Sequence, residues 1–267
     1  MSHRSVEAGR GLEWFKGGIA LIQSNPVPLL VIALLFAIGS SVLSLVPFLG
    51  TLAVVLLTPV LGGGMMYALN EQHEGRGAQI EHLFRGFQEP GRVLPLMLLG
   101  VPALAAGVVM MILVGLTFGA AILGLAAGGA DSTAGYAGLG IGALVAMVVG
   151  CGLALVVAAI VVFAVPRVML DGLDPAAAMK ESFAASLSNV GALLVFGLLF
   201  VGAAIALLVV SALFGWIPLL GQLLLMVVWF AFLVGWIALS NAGVYLAWRE
   251  LWPRDAAGVL PPAPPPG

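Results

Sequence analysis

An all-α polytopic membrane bundle of six transmembrane helices, paired as three hairpins, is predicted by three features of this 267-residue sequence. Hydrophobic residues make up 62% of the chain and charged residues 8%, where a soluble globular domain carries about 25% charged residues. The long apolar runs exceed the roughly 20 residues that a helix needs to cross a bilayer core of about 30 Å. They lack the alternating segments of about ten residues that mark a transmembrane barrel. Finally, all ten Lys and Arg residues fall in alternate connections between the runs.

In chain order the predicted spans lie near 26–46, 48–69, 95–125, 138–168, 190–214 and 219–247. The third and fourth are longer than a bilayer requires, so they are expected to tilt, to kink near Pro102 or to extend beyond the lipid, with a re-entrant segment as the alternative. Arg4, Arg10 and Lys16 precede the first span, and Arg76, Arg85 and Arg92 separate the second from the third. Arg167 and Lys180 flank the connection from the fourth to the fifth, and Arg249 and Arg254 follow the last. The connections VPFLG, GGADSTAGYAG and GWIPLLG contain no basic residue. Under the positive-inside rule this places both termini in the cytoplasm.

Each basic segment ahead of a hairpin has helical periodicity. Leu12, Phe15, Ile19 and Ile22 form one apolar stripe, and Ile80, Leu83, Phe84 and Phe87 form a second. Met179, Phe183 and Leu187 form a third, behind an Asp174–Pro175 helix start. Such helices are expected to lie in the membrane interface rather than to cross it.

The unit of amphipathic helix, span, tight turn and span then repeats over about 6–70, 78–169 and 174–250. All three units belong to a single transmembrane domain, 1–253, with a proline-rich tail, 254–267, expected to be disordered. Copies one and three agree in their letters: IALIQSNPVPLLVIALLF matches FAASLSNVGALLVFGLLF without a gap, and VPFLGTL matches WIPLLGQL. Because each unit holds an even number of spans, successive copies are expected to enter the membrane in the same sense, unlike inverted repeats. Asn25 and Asn189 occupy the same place in the repeat, where a flat helix must turn steeply into a span. They are expected to be structural corners that cap the helix that follows.

The segments GLEWFKGGIALIQSNP, EHLFRGF, GLDPAAAMKESFAASLSN and YLAWRELW resemble an uncharacterised family of bacterial integral membrane proteins. That family is similar to the YciC-like group and to the membrane domain of some glycerophosphodiester phosphodiesterases. The resemblance covers nearly the whole chain. It implies a six-span helical fold in the bacterial inner membrane and carries over no catalytic residue.

The candidates for chemistry are few. No span holds an acidic or basic residue in its interior, where such a group would signal a proton relay or coupled transport. Arg167, just after Pro166, is expected to snorkel to the headgroups, with Asp171 or Glu181 in reach to pair with it. Lys16, Arg85, Arg92 and Lys180 are the other candidate lipid-headgroup contacts. Asn241 is the candidate interhelical polar contact, because an amide in hydrocarbon needs a partner. Gly115 with Gly119, and Gly138 with Gly142, suggest close helix contacts.

His73 and His82 share an acidic segment, but no compact ligand spacing such as HExxH appears, so no metal site is expected. His82 is read as part of a solvated interfacial segment, and Asp131 as part of a solvated turn. Cys151 has no second cysteine with which to pair. No cofactor and no catalytic residue is expected, and a net charge of −2 without a basic stripe argues against nucleic acid.

The first functional reading is therefore a non-enzymatic bacterial inner-membrane protein with an envelope-organising or scaffold role. It would contact anionic lipid or partner proteins through its cytoplasmic face. The alternative is a transporter or lipid-handling protein with an apolar pathway between hairpins.

Overall fold

The computed structural model describes residues 3–128 and 133–253. Among the described residues every regular element is helical: α1 (Arg10–Ser24), α2 (Pro26–Ser44), α3 (Leu49–His73), a 3-10 turn (Ile80–Phe84) running into α4 (Arg85–Gln88), and α5 (Val93–Leu98). They continue as α6 (Val101–Gly128), α7 (Thr133–Val161), α8 (Ala164–Asp171), α9 (Pro175–Ser188), α10 (Val190–Phe214) and α11 (Leu220–Leu251). Asp131 and the proline-rich segment 254–267 lie outside the described residues.

Among the described residues six segments are long and apolar enough to cross a membrane: Pro26–Ser44, Leu49–His73, Val93–Gly128, Tyr136–Asp171, Val190–Phe214 and Leu220–Leu251. This is an all-α polytopic membrane bundle. The segments expected to be amphipathic, α1, the 3-10 turn with α4, and α9, each precede a pair of spans. The second of these is shorter than the periodicity suggested, because the tight 3-10 turn at Ile80–Phe84 leaves only four residues, Arg85–Gln88, in α-helical form.

The two longest spans, of 36 residues each, are each built from two helices. The α5–α6 break at Leu99 and Gly100 lies where Pro102 lacks the N–H that would bond the carbonyl of Leu98. The α7–α8 break has two causes. Pro166 cannot donate to Val162, and Ser182 of α9 inserts into the ladder. Its hydroxyl accepts from the Phe163 N–H at 3.1 Å and donates to the Ala159 carbonyl at 2.8 Å, the two groups that an unbroken helix would have joined directly.

The matching turns VPFLGTL and WIPLLGQL share an unusual conformation. Phe48 has φ 59° and Leu219 φ 57°, and the latter's ψ is −64°. Leu49 N donates to Pro47 O at 2.6 Å and Leu220 N to Pro218 O at 2.7 Å. Such positive-φ γ-turns are rare and strained. Each is followed by a glycine on which a Cβ would strike the preceding helix, Gly50 at 1.8 Å from Leu43 O and Gly221 at 2.5 Å from Phe214 O.

The chain divides into two compact units whose boundaries do not follow the three repeats. The first comprises Met1–Ala37, Ala68–Ile80 and Ala184–Gly267, and the second Ile38–Tyr67 and Glu81–Phe183. In the first, α1 packs on both α10 and α11. A Cβ on Gly11 would lie 2.1 Å from Ala192 O, so α1 and α10 meet at backbone distance, and one on Gly243 would lie 2.3 Å from the Phe196 ring, which packs against the α11 backbone. Phe15 and Phe200 stand edge to face at 5.4 Å, and Phe200 and Trp236 at 4.7 Å.

In the second unit the 3-10 turn and α4 dock on α3 through reciprocal glycines. A Cβ on Gly64 would fall 2.0 Å from Leu83 O, and one on Gly86 2.3 Å from Val60 O. Helices α6 and α7 pair through Ala121 against Gly138 and Thr117 against Gly142. A Cβ on Gly115 or Gly119 would meet no atom of another element within 4 Å, so the first of the two expected glycine motifs does not form a close helix contact within the described residues.

Candidate functional site

The two corner asparagines stand between helices, Asn25 between α1 and α2 and Asn189 between α9 and α10. Neither side chain caps the helix that follows, among the described hydrogen bonds. Instead, Asn25 Nδ2 donates to Gln72 Oε1 at 3.0 Å, and Gln72 Nε2 donates in turn to Ser24 Oγ at 2.9 Å. Helix α2 opens with Pro26 and Pro28, which lack N–H groups, so there is little to cap.

Asn189 is 1% exposed. Its Oδ1 accepts from Val6 N at 2.7 Å, and its Nδ2 donates to Arg4 O at 3.1 Å and Ala185 O at 2.9 Å. The N-terminal strap has taken the oxygen that a cap would have used. The strap also reaches α11, where Arg4 N donates to Leu251 O at 2.9 Å.

Polar side chains from α1, α3 and α11 meet close to that strap. Arg10 forms a two-pronged pair with Glu250, with Nε to Oε1 at 2.7 Å and Nη2 to Oε2 at 3.0 Å, and Trp14 Nε1 donates to Oε2 at 2.7 Å. The hydrogen bond to Glu250 raises the Arg10 pKa above its ordinary value. Buried Tyr245 donates to Asn70 Oδ1 at 3.2 Å and accepts from Arg249 Nη1 at 3.0 Å. Arg10, Trp14, Arg249 and Glu250 border an open cleft of about 350 Å³ that also takes in Glu13 and His73. Among the described residues no three His, Cys, Asp or Glu side chains gather in a metal-binding arrangement.

The cation expected to reach the headgroups is turned inward. Arg167 is 5% exposed, and it donates to Asp171 at 2.7 Å and Glu181 at 2.6 Å. Two carboxylates flanking its planar fork draw it into the packing of α8 and α9, where a headgroup does not compete. His82 is buried rather than solvated, with its ring edge to face with Tyr67 at 5.1 Å.

The remaining basic candidates point outward to different degrees. Lys16 is exposed, with Glu13 at 3.6 Å. Arg85 lies 3.8 Å from Glu89 and 5.3 Å from the Tyr67 ring. Lys180 is exposed, and half-buried Arg92 rests its guanidinium over Gly172.

Asn241 turns back on its own helix, donating to Ile237 O at 2.8 Å, instead of making the expected interhelical contact. That role falls to Asn70 and Tyr245, which the sequence reading missed. Asn70 stands just past the predicted end of its span, and only the tertiary fold brings Tyr245 to it from 175 residues away.

An apolar groove of about 630 Å³ runs along the second unit, lined by α3, the start of α6 and the second half of α7. Apart from Thr58, its lining side chains are apolar.

No family model matches the chain, and no solved structure matches it. A probable inner membrane protein of Burkholderia thailandensis is 29% identical over 89 residues, which is 33% of this chain and 33% of that protein. The match thus spans about a third of the relative's length.

Proposed function

We propose that this chain is a non-enzymatic bacterial inner-membrane protein that organises or supports the cell envelope, with both termini in the cytoplasm. Its basic face contacts anionic lipid or a protein partner. One observation carries this reading: the polar groups of the basic segments are spent on fixing those segments to the span ends. Arg10 and Trp14 hold Glu250, Arg167 holds Asp171 and Glu181, and Asn189 holds Val6. Lys16 in the first unit and Lys180 in the second remain exposed beside these fixed segments.

The similarity to a probable inner membrane protein of Burkholderia thailandensis supports the inner membrane. The finer likeness to the YciC-like group and to the phosphodiesterase membrane domain is consistent with the six spans. A second reading, a lipid-handling protein with an apolar pathway, is favoured by the groove.

Proteoliposomes separate the two. The scaffold role predicts no faster movement of labelled phospholipid or small hydrophobic solutes than in empty vesicles, together with one stoichiometric partner on crosslinking in cells. Accelerated movement without such a partner would overturn it in favour of lipid handling.

A further inference from the structure

Three helix irregularities in the second unit converge on one place. Pro59 in α3 withholds the N–H that would bond Val55 O, and both residues line the groove. Gly100, at the α5–α6 break, is also in the lining and closes on that carbonyl, since a Cβ there would fall 2.6 Å from Val55 O. Val162, at the α7–α8 break, completes the set. Irregular backbone at membrane depth is tolerated where it is buried in protein or lines a cavity, and broken spans commonly build binding sites. A volume of about 630 Å³ falls within the range of ligand sites.

The groove also has a charged end. Helices α5 and α8 pack together above it. From Leu99 in the lining, α5 climbs seven residues to Arg92, about 10 Å at 1.5 Å per residue. There the guanidinium lies against Gly172, where a Cβ would be 2.8 Å from Nη2. Among the described residues no carboxylate forms an ion pair with Arg92, and Asp171, next to Gly172 in sequence, pairs with Arg167. An apolar slot with a cation about 10 Å above it matches a lipid that carries a phosphate over an acyl chain.

We propose that this groove holds one anionic phospholipid per chain, with an acyl chain against Gly107 and Ala154 and the phosphate on Arg92. The proposal rests on the reading that the protein contacts anionic lipid, and it adds a single stoichiometric site to it. Gly107 offers a clean probe, since a Cβ there meets no atom within 4 Å, so Gly107→Leu fills the groove without striking the fold. Gly152 is equally open and does not line the groove, so Gly152→Leu serves as the control.

The test equilibrates detergent-solubilised protein with equal amounts of dioleoyl phosphatidylglycerol and dioleoyl phosphatidylcholine, then counts retained lipid by native mass spectrometry. Wild type and Gly152→Leu are expected to retain one phosphatidylglycerol. Gly107→Leu is expected to lose occupancy at least tenfold with an unchanged melting temperature, and Arg92→Gln to lose the preference for phosphatidylglycerol. No retained lipid in wild type, full retention in Gly107→Leu or an intact preference in Arg92→Gln would overturn the site. In parallel, enrichment of phosphatidylglycerol around the protein in mixed vesicles is read by quenching with brominated lipid. Enrichment that persists without a retained lipid sinks the groove site alone, whereas absence of both sinks the broader lipid-contact reading.

Discussion

Arg167 illustrates how an interfacial arginine can serve structure instead of lipid. Its two carboxylate partners remain 19% and 26% exposed at the side chain. Breaking the network with Arg167→Met is expected to cost about 3 kcal/mol, the lower end for a severed buried pair. Arg167→Lys should recover part of that loss, since a single ammonium reproduces the charge but not the fork. Thermal unfolding in detergent checks the order.

At the corners, Asn189→Ala removes a buried amide that holds three backbone groups and should cost about 1–3 kcal/mol, whereas Asn25→Ala, at a half-exposed amide, should cost less than about 1. Trypsin cleavage at Arg4 and Arg10 should accelerate in Asn189→Ala alone. At this scale the sequence showed where the asparagines stand but not what they hold. Val6 lies 183 residues from Asn189, and nothing local distinguishes a side chain that caps the next helix from one that ties down a distant strap. Likewise, Asp171 and Glu181 were visible as candidate partners of Arg167. Its burial was not, because burial depends on how α8 and α9 pack.

Among the elements, glycine decides which helices meet. Gly64→Ala drives a methyl against the Leu83 carbonyl and is expected to destabilise by about 3 kcal/mol, the upper end for overpacking, because backbone has to yield. Gly39→Ala, in α2 with no atom within 4 Å, should stay within about 1 kcal/mol of wild type or gain slightly from helix propensity. Chemical denaturation in a mild detergent distinguishes them. The sequence offered 36 glycines and no means of choosing among them. Of the two spaced pairs that drew notice, Gly138 with Gly142 packs closely and Gly115 with Gly119 does not.

The span breaks were half legible. Pro102 marked the first, but the second depends on the hydroxyl of Ser182, one serine among several on an amphipathic helix. The repeated turn was legible as letters in VPFLGTL and WIPLLGQL. Its positive-φ geometry was not, because neither Phe48 nor Leu219 is a residue that favours that region.

For the molecule as a whole, the six spans could be read directly, because uninterrupted apolar runs leave no other way to satisfy the backbone in lipid. The division into two compact units could not, since it cuts through α2, α3 and α9 and rests on contacts far apart in sequence. All ten basic residues lie in the terminal segments, connections or span ends assigned to one side of the membrane, and the functional reading depends on that side being the cytoplasm.

Labelling of single cysteines in a Cys151→Ser background tests this directly, because the chain has no other cysteine. With a membrane-impermeant maleimide on intact spheroplasts, Val46→Cys, Thr133→Cys and Trp216→Cys should label, while Ser5→Cys, Glu74→Cys and Lys180→Cys should label only after lysis. Labelling of any of the last three in intact cells, or protection of any of the first three, would contradict a six-span chain with its basic face in the cytoplasm.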